Sequence, residues 1–198
     1  MVDSQKGRKA VNVAGAEKED GGAQKLASFL LTRAPAEDVA CYEPGELEKA
    51  ARRAWQALSR HRKGECVVDI DNGGEVRRQD RPVTVITVVN DNMPFLFDSI
   101  LSEISESAGE ASLVVHPVFA VRHDDTGVAE LIGEPGAAKP DAGADRVSLI
   151  HVHVAPLTDA EAIAFLEWLR DDNFTFLGMR EFVYSGGEKS GTLERSDR

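Results

Sequence analysis

Residues 83–104 read VTVITVVNDNMPFLFDSILSEI, and this stretch decides the fold. Val83 to Asn90 is β-branched almost throughout and shows no polar alternation. That pattern predicts a strand buried on both faces, hence a central one. The polar turn Asn90-Asp91-Asn92 follows, then Met93-Pro94 and an apolar segment at helical spacing. A helix is predicted from about Pro94 to Ala108, burying Phe97, Ile100, Leu101 and Ile104, with Gly109 able to end it. A side-chain oxygen of Asp91 or Asn92 can cap the first helical turn, and Pro94 suits the first helical position because it has no N–H to leave unpaired.

Working outward, SLVVHPVFAVRHD (112–124) reads as the next strand. Proline is confined to edges and bulges, so Pro117 places this strand at the sheet edge. DDTGVAELIGEPGAAKPDAGAD (124–145) reads as a long connection rich in Gly, Pro, Ala and Asp. RVSLIHVHVAP (146–156) is a further strand. In TDAEAIAFLEWLRDD (158–172), Thr158 and Glu161 form a capping box, and Ile163, Leu166 and Leu169 are expected to face inward. NFTFLGMREFVYS (173–185) reads as the last strand.

The order strand, helix, strand, strand, helix, strand is the split β-α-β arrangement. The fold class expected is therefore α+β: a ferredoxin-like antiparallel sheet over residues 65–185 with both helices on one face. Its first and third strands are central. CVVDID (66–71) is a further strand that can extend the sheet. Upstream, residues 24–64 form a helical lead-in. It begins with KLASFLLTRAP, where Leu26, Phe29 and Leu30 share a stripe and Pro35 stops the helix. PGELEKAARRAWQALSR follows, with basic residues at its end and then Gly64. Residues 1–23 and 186–198 have the composition of disordered tails.

The totals narrow the function. The 198 residues are 42% hydrophobic, enough for a packed core, and carry a net charge of −11 from 34 acids against 23 bases. That balance argues against nucleic acid or an anionic membrane as a partner, since both need clustered cations. No apolar run reaches membrane-spanning length. Cys41 and Cys66 make neither a C-x-x-C nor a disulfide framework, which fits a reducing cytoplasm.

Candidate chemistry is sparse. No phosphate-binding glycine loop, nucleotide-binding fingerprint or serine-nucleophile motif occurs. Asp91 has no second residue to complete an acid–base pair. His151 and His153 alternate to one face of their strand, and His116 lies on another strand. Three imidazoles have the chemistry of a zinc set, but no Cys, Asp or Glu accompanies them at ligand spacing. The plainer expectation is a histidine-bearing sheet face, in solvent or against a neighbouring domain. No catalytic, cofactor-binding or metal-binding residue is assigned. The candidate effector or interface loop is Asn90, Asp91, Asn92, Met93 and Pro94, at a helix N-terminus suited to a small anionic or amino-acid ligand. The candidate interface face is His151 and His153.

Four stretches together, VVNDNMPFLFDSI, VVHPVFAVRHDDTG, SLIHVHVAPL and FLEWLRDDNFTFLGMREF, resemble the N-terminal region of the large bacterial NAD-dependent glutamate dehydrogenases. AEDVACYEPGELEKAARRAW is similar to their helical lead-in. The resemblance covers about residues 24–185. It implies an ACT-like domain without a catalytic site of its own, in a parent enzyme that oxidatively deaminates glutamate to 2-oxoglutarate and ammonia with NAD. It implies a regulatory or assembly role, partners among other domains or subunits of the same homo-oligomeric enzyme, and no cofactor in this segment. The alternative is an oligomerisation or interdomain scaffold that binds no ligand.

Overall fold

The computed structural model describes residues 21–134, 143–171, 179–185 and 191–194. The chain begins in helix α1 (21–33), which stops before Pro35, and continues through the single turn α2 (Ala36–Val39) into the long α3 (Pro44–Arg60). Strand β1 (Cys66–Asp71) and a small hairpin, β2 (Arg77–Arg78) and β3 (Arg81–Pro82), lead to β4 (Thr84–Asp91). Helix α4 (Leu96–Ser107) and strands β5 (Leu113–Val115), β6 (Val118–Asp124), β7 (Gly127–Gly133) and β8 (Asp145–Val154) follow. Helix α5 (Asp159–Asp171) and strands β9 (Met179–Ser185) and β10 (Gly191–Glu194) end the described chain.

The main sheet runs β10-β9-β1-β4-β8-β6-β7, with β5 also on β8. Every pairing is antiparallel except β1 with β9. β4 and β8 are central, as the unbroken apolar run of β4 predicts, and seven of its eight residues are buried. The α+β ferredoxin-type expectation is met: α4 and α5 pack on one face through Ile86, Val88, Ile150, Val152, Ile100, Ile104, Phe165 and Leu166.

Three points differ from the sequence expectation. β1 inserts between β4 and β9 instead of merely extending the sheet, because Val67 to Asp71 finds a full antiparallel ladder on β4 and a parallel one on β9. The supposed connection after Asp124 holds a strand, β7, so β6 is interior and only β5 is an edge beside β8. Pro117 instead marks the break between β5 and β6, and its carbonyl accepts the Leu149 N–H at 3.0 Å. The expected tails are also shorter. Residues 21–23 are already helical, with Ala23 buried, and Gly191–Glu194 pairs with β9. The rest of both tails, and residues 173–178 of the expected last strand, lie outside the described residues.

The second face of the sheet is covered as well. α1 and α3 bury Leu26, Leu30, Ala54, Trp55 and Leu58 against Val67, Val85, Val89, Val115, Phe119 and Leu149. The alternation of β4 and β8 divides each strand between these two cores. Phe29 meets Phe119 edge-on, with centroids 5.4 Å apart. Asp69 on β1, with only 4% of its side chain exposed, is held by Arg53 Nε at 2.7 Å and Arg60 Nη2 at 2.9 Å, both from α3. Burying a carboxylate is costly unless it is paired, and this double pairing fixes α3 on the sheet. In α5 the capping box forms as expected: Thr158 N–H donates to Glu161 Oε2 at 2.7 Å and Glu161 N–H to Thr158 Oγ1 at 3.3 Å. Its inward residues are Ala162, Phe165, Leu166 and Leu169, with Ile163 only partly covered.

Candidate functional site

The β4–α4 loop does not cap its helix. α4 begins at Leu96, its N-cap is Phe95, and no side chain bonds the first turn. The reason is that the loop residues are engaged elsewhere. Asn90 is buried and its Nδ2 donates to the Asp91 carbonyl and to Met93 Sδ. Asp91 Oδ2 accepts the Gly64 N–H at 2.9 Å. The Asn92 N–H donates to the Arg146 carbonyl, also at 2.9 Å. These bonds keep the chain extended through Asn92, so Pro94 falls outside the helix. The helical phase is set instead by Leu96, Ile100 and Ile104, buried at four-residue spacing.

Phe95 carries the cost of that arrangement. Its φ is +64°, a left-handed conformation that a bulky side chain rarely adopts, and it is 79% exposed. A strained backbone beneath an exposed aromatic ring is the kind of feature that persists at contact sites. Behind it, Phe97 stacks on His116 with centroids 4.5 Å apart and an interplanar angle of 6°. His116 Nε2 meets Ser148 Oγ at 2.5 Å. Burial lowers the His116 pKa, and the Asp98 charge opposes the shift.

His151 and His153 are not on an open face. Both are buried, at 1% and 0% exposure, beneath the lead-in helices. The interface they line is internal to the chain. Period-two alternation put both rings on one face, but the covering comes from Tyr42, distant in sequence, whose hydroxyl is 2.9 Å from His153 Nδ1. The two Nε2 atoms are 3.0 Å apart, and His151 Nδ1 is 2.9 Å from Thr87 Oγ1. Both rings are satisfied while neutral, because the three bonds can run in sequence from the Tyr42 hydroxyl through His153 and His151 to Thr87, or from Thr87 back to Tyr42. Burial pushes the His151 pKa down to about 4 and that of His153 well below the ordinary range. His116 lies on the α4 side of the sheet, so the three imidazoles do not converge. Among the described residues, no group of three or more His, Cys, Asp or Glu could hold a metal.

Two recesses flank the lead-in. One is a narrow crevice, with a volume of about 10 Å³, lined by apolar groups including Ala27, Leu30, Leu47, Ala50 and Leu113, with His151 the polar exception. The other, about 140 Å³, lies between residues 40–43 and the β2–β3 hairpin. Its polar groups bind one another: Glu46 takes Lys49 and the Arg77 N–H, Arg77 Nε and Nη2 donate to the Asp80 carbonyl, and Gln79 N–H to the Cys41 carbonyl. Cys66 is fully buried, which raises its thiol pKa to about 12.

Residues that the sequence did not single out are His61, Tyr42, Thr87, His123 and Asp145. Their pairings run between distant elements, and no local spacing announces them. No helix among the described residues is long and apolar enough to cross a membrane.

The comparisons agree with this architecture. No solved structure matches the chain. A protein from Halomonas elongata, described as NAD-specific glutamate dehydrogenase, is 24% identical over 210 residues; the match takes in 79% of this chain and 13% of that protein. The chain thus spans only a small part of the length of that relative. The model of the glutamate dehydrogenase ACT1 domain matches residues 26–168, the span that runs from within α1 through α3, both central strands and α4 to the last turn of α5; the chain belongs to the glutamate dehydrogenase ACT1 domain family.

Proposed function

We propose that this chain is a non-catalytic regulatory or assembly domain of a large NAD-dependent glutamate dehydrogenase, acting in the cytoplasm. The parent enzyme would oxidatively deaminate glutamate to 2-oxoglutarate and ammonia. NAD would bind elsewhere in it, and the partners of this domain would be other domains or subunits of the same homo-oligomer. Membership of the ACT1 family carries the reading. The β4–α4 loop, Asn90 to Pro94, supports a contact role, because it leads into an uncapped helix start and the exposed, strained Phe95.

Titration calorimetry of the 198-residue chain with a panel of amino acids tests the regulatory form. Saturable heat that is lost when Asn92 is replaced supports it, and no heat for any amino acid removes it. The second reading is a scaffold without ligand, favoured by Phe95, an apolar group poised for a protein surface rather than a small polar molecule. For the isolated chain it predicts self-association in sedimentation, weakened by Phe95→Ser; a monomer at high concentration removes self-association. Glutamate and NAD added to the chain should yield no NADH, and steady turnover would overturn both readings.

A further inference from the structure

Four side chains stand in line where the end of α3 meets the sheet. His61, the C-cap of α3, is fully buried. Its Nδ1 lies 3.0 Å from His123 Nε2 on β6, and His123 Nδ1 lies 3.1 Å from Asp145 Oδ2 on β8. Asp145 Oδ1 takes the Lys63 ammonium at 2.6 Å. At the other end His61 Nε2 faces Asp91 Oδ1 across 3.5 Å, and neither of these buried atoms has a hydrogen-bond partner.

Counting protons explains the orphaned pair. The Asp145 carboxylate can only accept, so His123 donates to it from Nδ1. If His123 is neutral, its Nε2 must then accept from His61 Nδ1–H. That leaves His61 Nε2 as a bare lone pair aimed at the Asp91 carboxylate. Two acceptors repel, and the gap stays at 3.5 Å. One more proton makes every contact in the line attractive.

We propose that His61, Asp91, His123 and Asp145 form a proton-gated latch between α3 and the β4–α4 loop. A proton entering at His61 Nε2 displaces the Nδ1 proton along the 3.0 Å bond onto His123 Nε2. His61 stays neutral but changes tautomer, and its Nε2–H now donates to Asp91. The added charge rests on His123, between the Asp145 carboxylate and a neutral ring. The charged groups facing the line are Asp91 from β4, Asp145 from β8 and Lys63 from the turn after α3. Two carboxylates against one ammonium leave a single negative charge, which the proton cancels. His61 itself is a poor cation: burial drives its pKa to about 4, with the Asp91 attraction the largest opposing effect. Closing the gap ties Asp91, where β4 runs into the loop, to the end of α3, beside the bond Asp91 already accepts from Gly64. The inference concerns a proton rather than an effector, and it stands whether or not the loop binds an amino acid.

The test is long-range nitrogen–proton NMR of the histidine rings in the full chain, from about pH 8 to pH 5. The expected result is a second proton on His123 while His61 passes from the Nδ1–H to the Nε2–H form at the same midpoint. The amide signals of Asn92, Met93 and Phe95 should follow that midpoint. In Asp91→Asn the amide N–H₂ can donate to His61 Nε2, so His61 should hold its Nδ1–H form throughout and the loop signals should no longer track His123. The latch is refuted if wild-type His61 keeps one tautomer while His123 titrates. It is equally refuted if His61 gains the second proton itself, or if the loop signals respond identically in Asp91→Asn.

Discussion

Acidification should unfold this chain through its interior rather than its surface. His61, His151 and His153 are all held neutral in the folded state, the first two with pKa values of about 4 against 6.5 for an exposed ring. Between those values the unfolded chain binds protons that the folded chain refuses, so stability rises with pH across the window. The full contribution is present above pH 6.5. It falls as the pH drops, at about 1.4 kcal/mol per pH unit for each ring, and for His151 it is exhausted near pH 4. His151 alone then costs about 3 kcal/mol, and His61 a similar amount, against a total stability of about 5–15 kcal/mol for a domain of this kind. The two rings sit in separate clusters, so these losses should nearly add. Urea denaturation followed by circular dichroism at several pH values from about 7.5 to 4.5 reads the slope directly. His151→Gln should flatten its share of the slope while lowering stability at neutral pH. A stability that is level from pH 6.5 to 4.5 would refute the reasoning. The depressed carboxylates are not a confusion, because Glu46 and Asp145 act only as the pH falls through and below their ordinary range near 4.

Gly127 has φ +144°, and a Cβ there would stand 2.1 Å from the Ser59 carbonyl oxygen, so Gly127→Ala should lower stability by about 2 kcal/mol or more, read from the urea midpoint. Asp69→Ala leaves Arg53 and Arg60 facing each other over an empty acceptor; a loss of about 3 kcal/mol is expected, and a change below about 1 kcal/mol would contradict the fixing role of this pairing. Phe95→Gly removes the left-handed strain, so the isolated chain should be no less stable than wild type and up to about 1 kcal/mol more so in thermal denaturation.

The parts legible in sequence were those governed by neighbours along the chain. The β-branched run of β4, the Leu26–Phe29–Leu30 stripe of α1 and the Thr158–Glu161 box each depend on residues within a turn or two, and each formed as its chemistry dictates. Pairings between distant residues were not legible. β1 takes β9 as its parallel neighbour, a choice made by two ladders rather than by its own composition. β7 hides in a stretch bounded by glycines, and its pairing with β6 is broken by two irregularities, so no clean alternation marks it. The loop departs from its local chemistry for a related reason. Asp91 and Asn92 have the right chemistry for caps, but the Gly64 N–H takes the Asp91 carboxylate, and the Arg146 carbonyl holds the Asn92 backbone N–H in place before the helix begins. The histidines show the limit most clearly: alternation assigns His151 and His153 to one face, and only the docking of Tyr42 makes that face the interior.

Because helices of the same chain cover both faces of β4 and β8, nothing can reach these central strands across the flat of the sheet. The route to them runs through the loop ends, where Phe95 projects. A push at the rim acts end-on, along stiff strands, and not as pressure spread over a yielding surface. With β4 locked by ladders to β1 and β8, such a push would tilt α4 about its N-terminus rather than slide the strand, and a small movement at that base is large at the far tip of the helix.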